Sequence, residues 1–154
     1  MAELVALEPR IPAMSADALA TVERVEAERA LLKQVPLRTN HLIHGGMYAR
    51  TVLIPAGVMI TGVAIKIATI LIVQGKALAY IGTPEPLPID GYLVMPASKG
   101  RKQAFMAVKD TFLTMMFPTQ AETVEEAERQ FTDEVDKLSS RRDADCNDVL
   151  ITGE

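Results

Sequence analysis

The sequence predicts an all-β core that is flanked by an α-helix on each side. Between His41 and Phe117, short apolar or alternating runs follow one another, and turn residues recur roughly every 8–12 positions. Proline and glycine dominate the turns; proline fixes φ and glycine supplies positive φ, so both end strands for a physical reason. On either side of this region, apolar residues recur at helical spacing. These observations predict a sandwich or barrel with helical ends.

The predicted strands are the runs that are rich in β-branched and aliphatic residues: 47–54, 58–60, 65–73, 77–81, 92–95, 103–108 and 112–117. The predicted turns between them are residues 55–57, 74–76, 83–88, 97–100 and 109–110. No helix of ten or more residues fits between these turns.

The two ends of the chain form separate compositional zones. Residues 1–36 are predicted to be an acidic arm and an amphipathic helix, which Ser15 caps and which runs to about Val35, where Pro36 ends it. Residues 37–119 form the predicted β-domain. Residues 120–154 are predicted to hold a second helix, with a Thr123–Glu126 capping box and an apolar stripe that reaches Leu138, followed by a polar, frayed tail. The apolar residues 149–151 have no assigned role.

Composition limits the classes of function. The chain has 154 residues, of which 49% are hydrophobic and 23% charged, and this describes one globular domain. A net charge of -4 argues against nucleic acid as the main partner. The single cysteine, Cys146, forms no intrachain disulfide, so no oxidising compartment is implied. Residues 1–10 lack the basic start and apolar core of a signal peptide, and the expected location is the cytoplasm.

Residues 52–73 raise the question of a membrane span, because their only charge is Lys66. Pro55, Gly57 and Gly62 interrupt the segment, and many of its residues are β-branched. A lysine near the bilayer centre would also cost roughly 3 kcal/mol. We therefore expect strands here, and no membrane span.

The middle of the chain resembles the cupin jelly roll, in particular the small cupin-like proteins of bacteriophages and prophages. The resemblance covers about Thr39 to Thr119 and is carried by the runs MYARTVLIPAGVMITG, ILIVQGKALAYIG and GYLVMPASKGRKQAFMAVKDTFLTMMFPT. It implies a double-stranded β-helix, a jelly-roll barrel with flanking helices. Because cupin barrels commonly pair, it also implies a homodimer.

Most cupin enzymes hold a metal with histidines and a glutamate on neighbouring strands. If Gly75 is taken as the turn glycine of the first cupin motif, the ligand positions fall on Gly62, Ala64 and Ala68, and the last histidine is replaced by Gln103. The stretch 52–117 contains no histidine at all. We therefore expect no metal and no other cofactor, and the chain leans away from catalysis.

The two histidines, His41 and His44, leave a second interpretation open. They precede the first predicted strand, next to a glycine pair, and a His-x-x-His pair can ligate a metal together with an acid from elsewhere. The simpler interpretation is a polar turn in which each imidazole bonds to nearby backbone.

A binding pocket is the remaining source of function, because the inward-facing residues of a small barrel either fill it or line a cavity. The polar residues that interrupt the apolar strands or their entries are the candidates: Tyr48, Arg50, Lys66, Arg101, Lys102 and Gln103. Lys66 shares a strand face with Ala64 and Ala68, and is therefore predicted to project into the former metal pocket. A lysine or arginine there could hold a carboxylate or phosphate. Alternatively, these side chains lie along the outer, solvated face of the sheet.

The leading hypothesis is a non-catalytic, phage-type or prophage-type cupin-like protein that binds a phage or host protein or a small anionic ligand. The first alternative is a structural or accessory component of the virion. The second is a metal-dependent cupin enzyme with an unconventional site that uses His41 and His44.

Overall fold

A computed structural model describes residues 10–154, so residues 1–9 of the predicted acidic arm lie outside the described residues. The strands are β1 (Thr39–His44), β2 (Met47–Ile54), β3 (Met59–Thr61), β4 (Thr69–Tyr80), β5 (Leu87–Ala97), β6 (Ala104–Ala107), β7 (Thr111–Pro118) and β8 (Asn147–Ile151). The helices are α1 (Ala16–Arg29), α2 (Val124–Phe131) and α3 (Ser139–Arg142), with single 3-10 turns at Val135–Lys137 and Ala144–Cys146. The predicted fold class, an all-β core with flanking helices, is confirmed.

The strands form one sheet in the order β3-β6-β4-β7-β2-β1-β8, and β5 pairs with β4. The pairs are antiparallel except for β1 and β8, which run parallel. Strand β4 joins two parts of the sheet, because its first half pairs with β7 and its second half with β6, while β5 follows it along its length. The inward faces of the strands enclose one hydrophobic cluster among residues 10–154.

Gly75 lies where β4 changes partners, and the predicted turn at residues 74–76 is wrong. The sequence favoured a turn because of the glycine, but the strand continues through it with φ at 147°. A Cβ at this position would lie 2.5 Å from Thr111 Oγ1 and 2.7 Å from the carbonyl oxygen of Asp110. Gly75 is therefore needed for a close approach between β4 and the start of β7. Residues 69–73 and 77–80 of the two predicted strands belong to one strand, whereas residues 65–68 lie in the loop before it. Gly75 is not the turn glycine of a cupin motif.

The first helix begins where the sequence predicts and ends earlier. The side chain of Ser15 accepts the first-turn hydrogen bond from the Ala18 N–H at 3.1 Å. The helix ends at Arg29 rather than near Val35. Its end is capped locally: the Leu32 N–H donates to the Arg29 carbonyl (3.0 Å), and the Gln34 side-chain amide donates to the carbonyls of Arg29 (2.9 Å) and Leu32 (2.8 Å). Residues 30–36 are exposed to solvent, and Leu37 is buried again.

The predicted second helix is divided into shorter pieces. Helix α2 ends at Phe131 because the following residues bond to the segment after β3: the Thr132 hydroxyl donates to the Ala64 carbonyl (2.7 Å), and the Lys66 N–H donates to the Phe131 carbonyl (2.9 Å). Leu138, at the end of the predicted stripe, is buried within the core cluster.

The predicted frayed tail is also wrong. Asn147–Ile151 forms β8 beside β1, so the sheet extends beyond the predicted barrel range of 37–119. Asn147 anchors the entry to this strand: its side-chain amide donates to the carbonyls of Ser140 (2.8 Å) and Ala144 (3.1 Å).

The apolar segment 52–73 is sheet and connecting loop, as expected, and contributes to β2, β3 and β4. Within residues 10–154, no helix combines the length and the apolar character that a bilayer crossing requires.

Candidate functional site

A cavity of about 1030 Å³ lies inside the barrel and opens between α1 and residues 135–142. This volume is at the upper end of the range for small-molecule sites. Its inner wall is mainly apolar and consists of buried or half-buried residues from the strands, the loop after β3 and α2: Val52, Ile60, Val63, Leu71, Phe105, Leu113, Met115 and Phe131. Its mouth carries charged side chains: Glu23, Glu26, Arg29, Lys33, Asp136, Lys137 and Arg142.

Arg101 is the most unusual residue of the cavity wall, because its side chain is a cation in an apolar interior and is only 1% exposed. It follows the turn at residues 98–100. The segment that contains it is covered by the chain before α1: the Met14 N–H donates to the Gly100 carbonyl (2.9 Å), and the Lys102 N–H lies 3.3 Å from Met14 Sδ. The sequence could not show that residues 11–14 cover this turn.

Every acceptor that the Arg101 guanidinium reaches is a neutral group. These acceptors are the carbonyl oxygens of Ser98 (2.7 Å) and Ile67 (3.4 Å), Thr69 Oγ1 (2.8 Å), Gln103 Oε1 (3.2 Å) and Met115 Sδ (3.8 Å). Within residues 10–154, no carboxylate forms an ion pair with this side chain. Burial lowers the pKa of Arg101 to about 10, so it remains a cation at neutral pH. The cavity therefore contains a positive charge without a counter-charge from the described chain.

Gln103 lies beside Arg101, is 6% exposed and also lines the cavity. A guanidinium only donates, so the carbonyl end of the Gln103 amide must face Arg101 Nε. This leaves Gln103 Nε2 as a buried donor that has no hydrogen-bond partner among the described residues. Buried donors without partners are rare in native proteins, and each one calls for an explanation.

Arg50, the second arginine of the cavity wall, differs from Arg101 because its charge is compensated. Its Nη1 lies 3.3 Å from Glu128 Oε2 and donates to Ser140 Oγ at 3.0 Å. Its guanidinium also lies 5.8 Å from the ring centre of Phe131. Glu128 in turn accepts a hydrogen bond from Arg141 Nε at 2.7 Å. Arg50 is thus part of a closed ionic network that fixes α2 and α3 to β2.

Tyr48 shares the inward face of β2 with Arg50 but does not line the cavity. Its ring packs against Phe117 and Phe131, and its hydroxyl lies 2.7 Å from His41 Nδ1. Burial raises the pKa of Tyr48 to about 12. Tyr48 is therefore part of the core next to the cavity.

Lys102 points away from Arg101 and Gln103, since alternate residues of an extended segment face opposite sides. Its side chain is fully buried, and its Nζ contacts Glu26 of α1 (3.1 Å) and Glu134 (3.0 Å). Lys137 contacts the same two carboxylates. Burial alone would raise the pKa of Glu134, but hydrogen bonds from Lys137, the Ala64 N–H and Lys102 outweigh it and lower the pKa to about 2. This network joins the two sides of the cavity mouth.

Lys66 does not project into the cavity, and this prediction is wrong. Position 66 lies in the loop between β3 and β4, where the backbone bonds to Phe131 instead of to a neighbouring strand. The side chain is exposed and lies 2.6 Å from Asp133 Oδ1 on the surface.

The structure does not bring His41 and His44 together. They lie on β1 rather than in a polar turn, and their odd spacing places them on opposite faces of the strand. His41 is buried and also lies 2.9 Å from Asn147 Oδ1, while the exposed His44 lies 2.8 Å from Thr152 Oγ1. Burial lowers the pKa of His41. Within residues 10–154, no cluster of three or more His, Cys, Asp or Glu side chains could hold a metal ion.

Two parts of the site were missed at the sequence level. Glu128 is the counter-charge of Arg50, and the signal was present: positions 124, 127, 128 and 131 share one helix face, so Glu128 interrupts the apolar stripe. The contribution of α1 and residues 135–142 to the cavity mouth depends on tertiary packing alone and left no local signal.

The comparisons with known proteins are limited to fold. No protein-family model and no curated protein matches the sequence. A cupin superfamily protein from Desulfitobacterium hafniense is similar in structure, with 10% identity over 59% of this chain and 86% of that chain and a TM-score of 0.46. A protein from Klebsiella pneumoniae with a double-stranded β-helix domain is also similar in structure. It has 14% identity over 62% of this chain and 83% of that chain, and the TM-score is 0.46.

Ectoine synthase from P. lautus is another similar structure, with 16% identity over 65% of this chain and 76% of that chain and a TM-score of 0.48. At these identities and scores, none of the three similarities says anything about what this chain binds or catalyses. What can be said of its function depends on the cavity itself.

Proposed function

We propose that this protein acts by binding a small anionic molecule inside the barrel, with Arg101 as the charge partner of the anion. The single observation that carries the proposal is the buried Arg101 guanidinium, whose contacts within residues 10–154 are all with neutral groups. Gln103 Nε2, a donor without a hydrogen-bond partner in the described chain, lies on the same cavity wall. Both are residues that the sequence analysis selected.

Burial makes the charge of Arg101 costly for the folded protein. A charge in a low-dielectric interior is unfavourable unless it is paired, and removal of one partner from a buried ion pair typically costs about 3–5 kcal/mol. Arg101 resembles the buried charge that remains after such a removal, because it has no counter-charge in the described chain. An anion in the cavity would remove most of this penalty, and because it binds only the folded chain, it would stabilise the protein by mass action.

The chemistry of the cavity favours binding over catalysis. Among the described residues that line it, there is no histidine and no cysteine. The acidic residues Glu23, Glu26 and Asp136 are at the mouth, and Arg50 is held by Glu128 and Ser140. An arginine and an amide orient a ligand through fixed donors, but neither serves as a general base. Cys146 lies in a 3-10 turn and is not part of the cavity wall.

The finer predictions from the resemblance stay predictions: the phage or prophage origin, a phage or host protein partner, the virion role, the cytoplasmic location and the metal-dependent alternative.

The homodimer has one supporting feature. Strand β8 is at the edge of the sheet and exposes Val149, Leu150 and Ile151, and exposed apolar edge strands tend to pair. The direct check is the mass of the particle in solution.

The experiment is a thermal-shift and calorimetric screen of carboxylates, sugar phosphates and nucleotides, each paired with an uncharged analogue. We expect at least one anion to raise Tm in a saturable manner, and its uncharged analogue to have no effect. Arg101→Met should abolish this shift, with circular dichroism as the check that it folds. If no anion binds the wild type, or if binding survives in folded Arg101→Met, the proposal is wrong.

A further inference from the structure

We infer that the anion is an organic monocarboxylate with an extended apolar body, an inference that rests on the proposed function and names its ligand class. Three features of the cavity lead to this class: the number of uncompensated charges, the number and chemistry of the available donors, and the character of the remaining wall.

The count of charges selects a monoanion. Arg50 already has Glu128, and Lys102 has Glu26 and Glu134, so among the buried cations of the described chain only Arg101 lacks an acidic partner. One negative charge on the ligand completes the balance. A phosphate monoester carries nearly two charges at pH 8, and its second charge would be buried without a partner.

The donors fit the two oxygens of a carboxylate. Arg101 Nη2 donates to Thr69 Oγ1, and its other contact is Met115 Sδ at 3.8 Å, which is a weak acceptor. This N–H is therefore available to a stronger acceptor. Gln103 Nε2 is the second available donor. One carboxylate oxygen would accept from each, and charge-assisted bonds of this kind are stronger than bonds between neutral groups.

The rest of the inner wall offers an apolar surface. Leu71, Phe105 and Leu113 line the cavity together with Met115, and none of these side chains donates or accepts a conventional hydrogen bond. A volume of about 1030 Å³ is far larger than a carboxylate requires. An alkyl or aryl body would displace water from this surface, and its affinity should rise with the apolar area that it buries.

The experiment is isothermal titration calorimetry at pH 8 with a series of straight-chain acids: acetate, hexanoate, octanoate and decanoate. Affinity should rise by up to about fourfold for each added methylene, following the free energy of burying one CH₂ group. Three comparison ligands test the separate features: 1-octanol lacks the charge, octyl phosphate carries nearly two charges, and octanedioate has a carboxylate at each end. Each should bind at least tenfold more weakly than octanoate.

Two variants test the donors. Gln103→Leu removes the second donor and should weaken octanoate binding about tenfold. Gln103→Glu places a carboxylate beside Arg101 and should reduce binding further, since the charge is then compensated internally. The matched controls are Gln74→Leu and Gln74→Glu, because Gln74 is an exposed residue of β4 that does not line the cavity. Both controls should bind octanoate as the wild type does.

The outcomes separate this inference from the proposed function. If octyl phosphate, or a small anion such as acetate, binds as tightly as octanoate and Arg101→Met abolishes that binding, the ligand class is wrong and the anion site stands. If octanoate binds equally well to the wild type and Gln103→Glu, the assigned donors are wrong. If no anion binds the wild type, both proposals fail together.

Discussion

Replacement of Gln103 by glutamate supplies Arg101 with the counter-charge that the described chain lacks, and we expect it to stabilise the protein. Gln103 Oε1 already lies 3.2 Å from Arg101 Nε, so a glutamate can place its carboxylate there without rearrangement. Glutamate and glutamine have nearly the same shape, so the substitution changes the charge and the amide donor while the packing is retained. The lost amide donor, Nε2, has no partner among the described residues.

The magnitude follows from two opposing terms. Two unit charges about 4 Å apart attract by about 4 kcal/mol at an effective dielectric constant of 20. Burial of the new carboxylate costs about 2–3 kcal/mol of this gain. The net stabilisation is about 1–2 kcal/mol, which corresponds to a rise in Tm of about 2–8 °C for a chain of this size.

The assay is urea or thermal unfolding of the wild type and Gln103→Glu between pH 3 and pH 8. The partner arginine should lower the folded pKa of the introduced glutamate below its unfolded value of about 4.3. The added stability should therefore be complete above this pH and be lost as the pH falls through the folded pKa. Gln74→Glu, at an exposed position, should change stability by less than about 0.5 kcal/mol.

One result would refute the reasoning. If Gln103→Glu lowers stability at pH 7 by about 2 kcal/mol or more, as the burial of an unpaired charge does, while Gln103→Leu is close to neutral, then Arg101 already has a counter-charge. Arg101 would then not be an uncompensated charge.

Two further predictions concern the parts that hold the cavity in place. Gly75→Ala should destabilise the protein by at least about 2 kcal/mol, because the new Cβ would lie 2.5 Å from Thr111 Oγ1 and 2.7 Å from backbone atoms at a φ of 147°. Thermal unfolding measures this against Gly45→Ala, which has φ at 59° and no atom within 4 Å, and equal losses would contradict the close-approach argument. Glu134→Gln should lose about 1 kcal/mol at pH 7 after allowance for solvent screening. Because the pKa of Glu134 is lowered from 4.5 to about 2, this difference should disappear as the pH falls through that range, and a difference that is constant with pH would exclude the ionic role.

The sheet and the ends of the helices were largely predictable from local signals. Strand β2 has the predicted bounds, and Ser15 and Thr123 cap the helices that they were predicted to cap. Errors arose where tertiary contacts overrode local preference. Gly75 was assigned to a turn because a glycine in an apolar run usually marks one, whereas here it permits close contact with β7. Strand β8 was missed because its pairing with β1 joins residues that lie about a hundred positions apart in the chain.

The site was predictable in residue type and only partly in position. Arg50, Arg101 and Gln103 line the cavity, while Lys66 is on the surface. Strand alternation was the basis for Lys66, and it failed because the residue lies outside any strand. Which arginine is compensated could not be read from the sequence, because the partner of Arg50 is contributed by α2, 78 positions away.

The most direct test of the central claim is a ¹⁵N NMR titration of the wild-type protein with decanoate, followed at the side-chain amide of Gln103 and the Nε of Arg101. If Arg101 and Gln103 bind the carboxylate, both resonances shift saturably with one affinity, and the Gln74 amide does not shift. Decanoate that binds while the Gln103 and Arg101 signals stay in place would contradict this assignment.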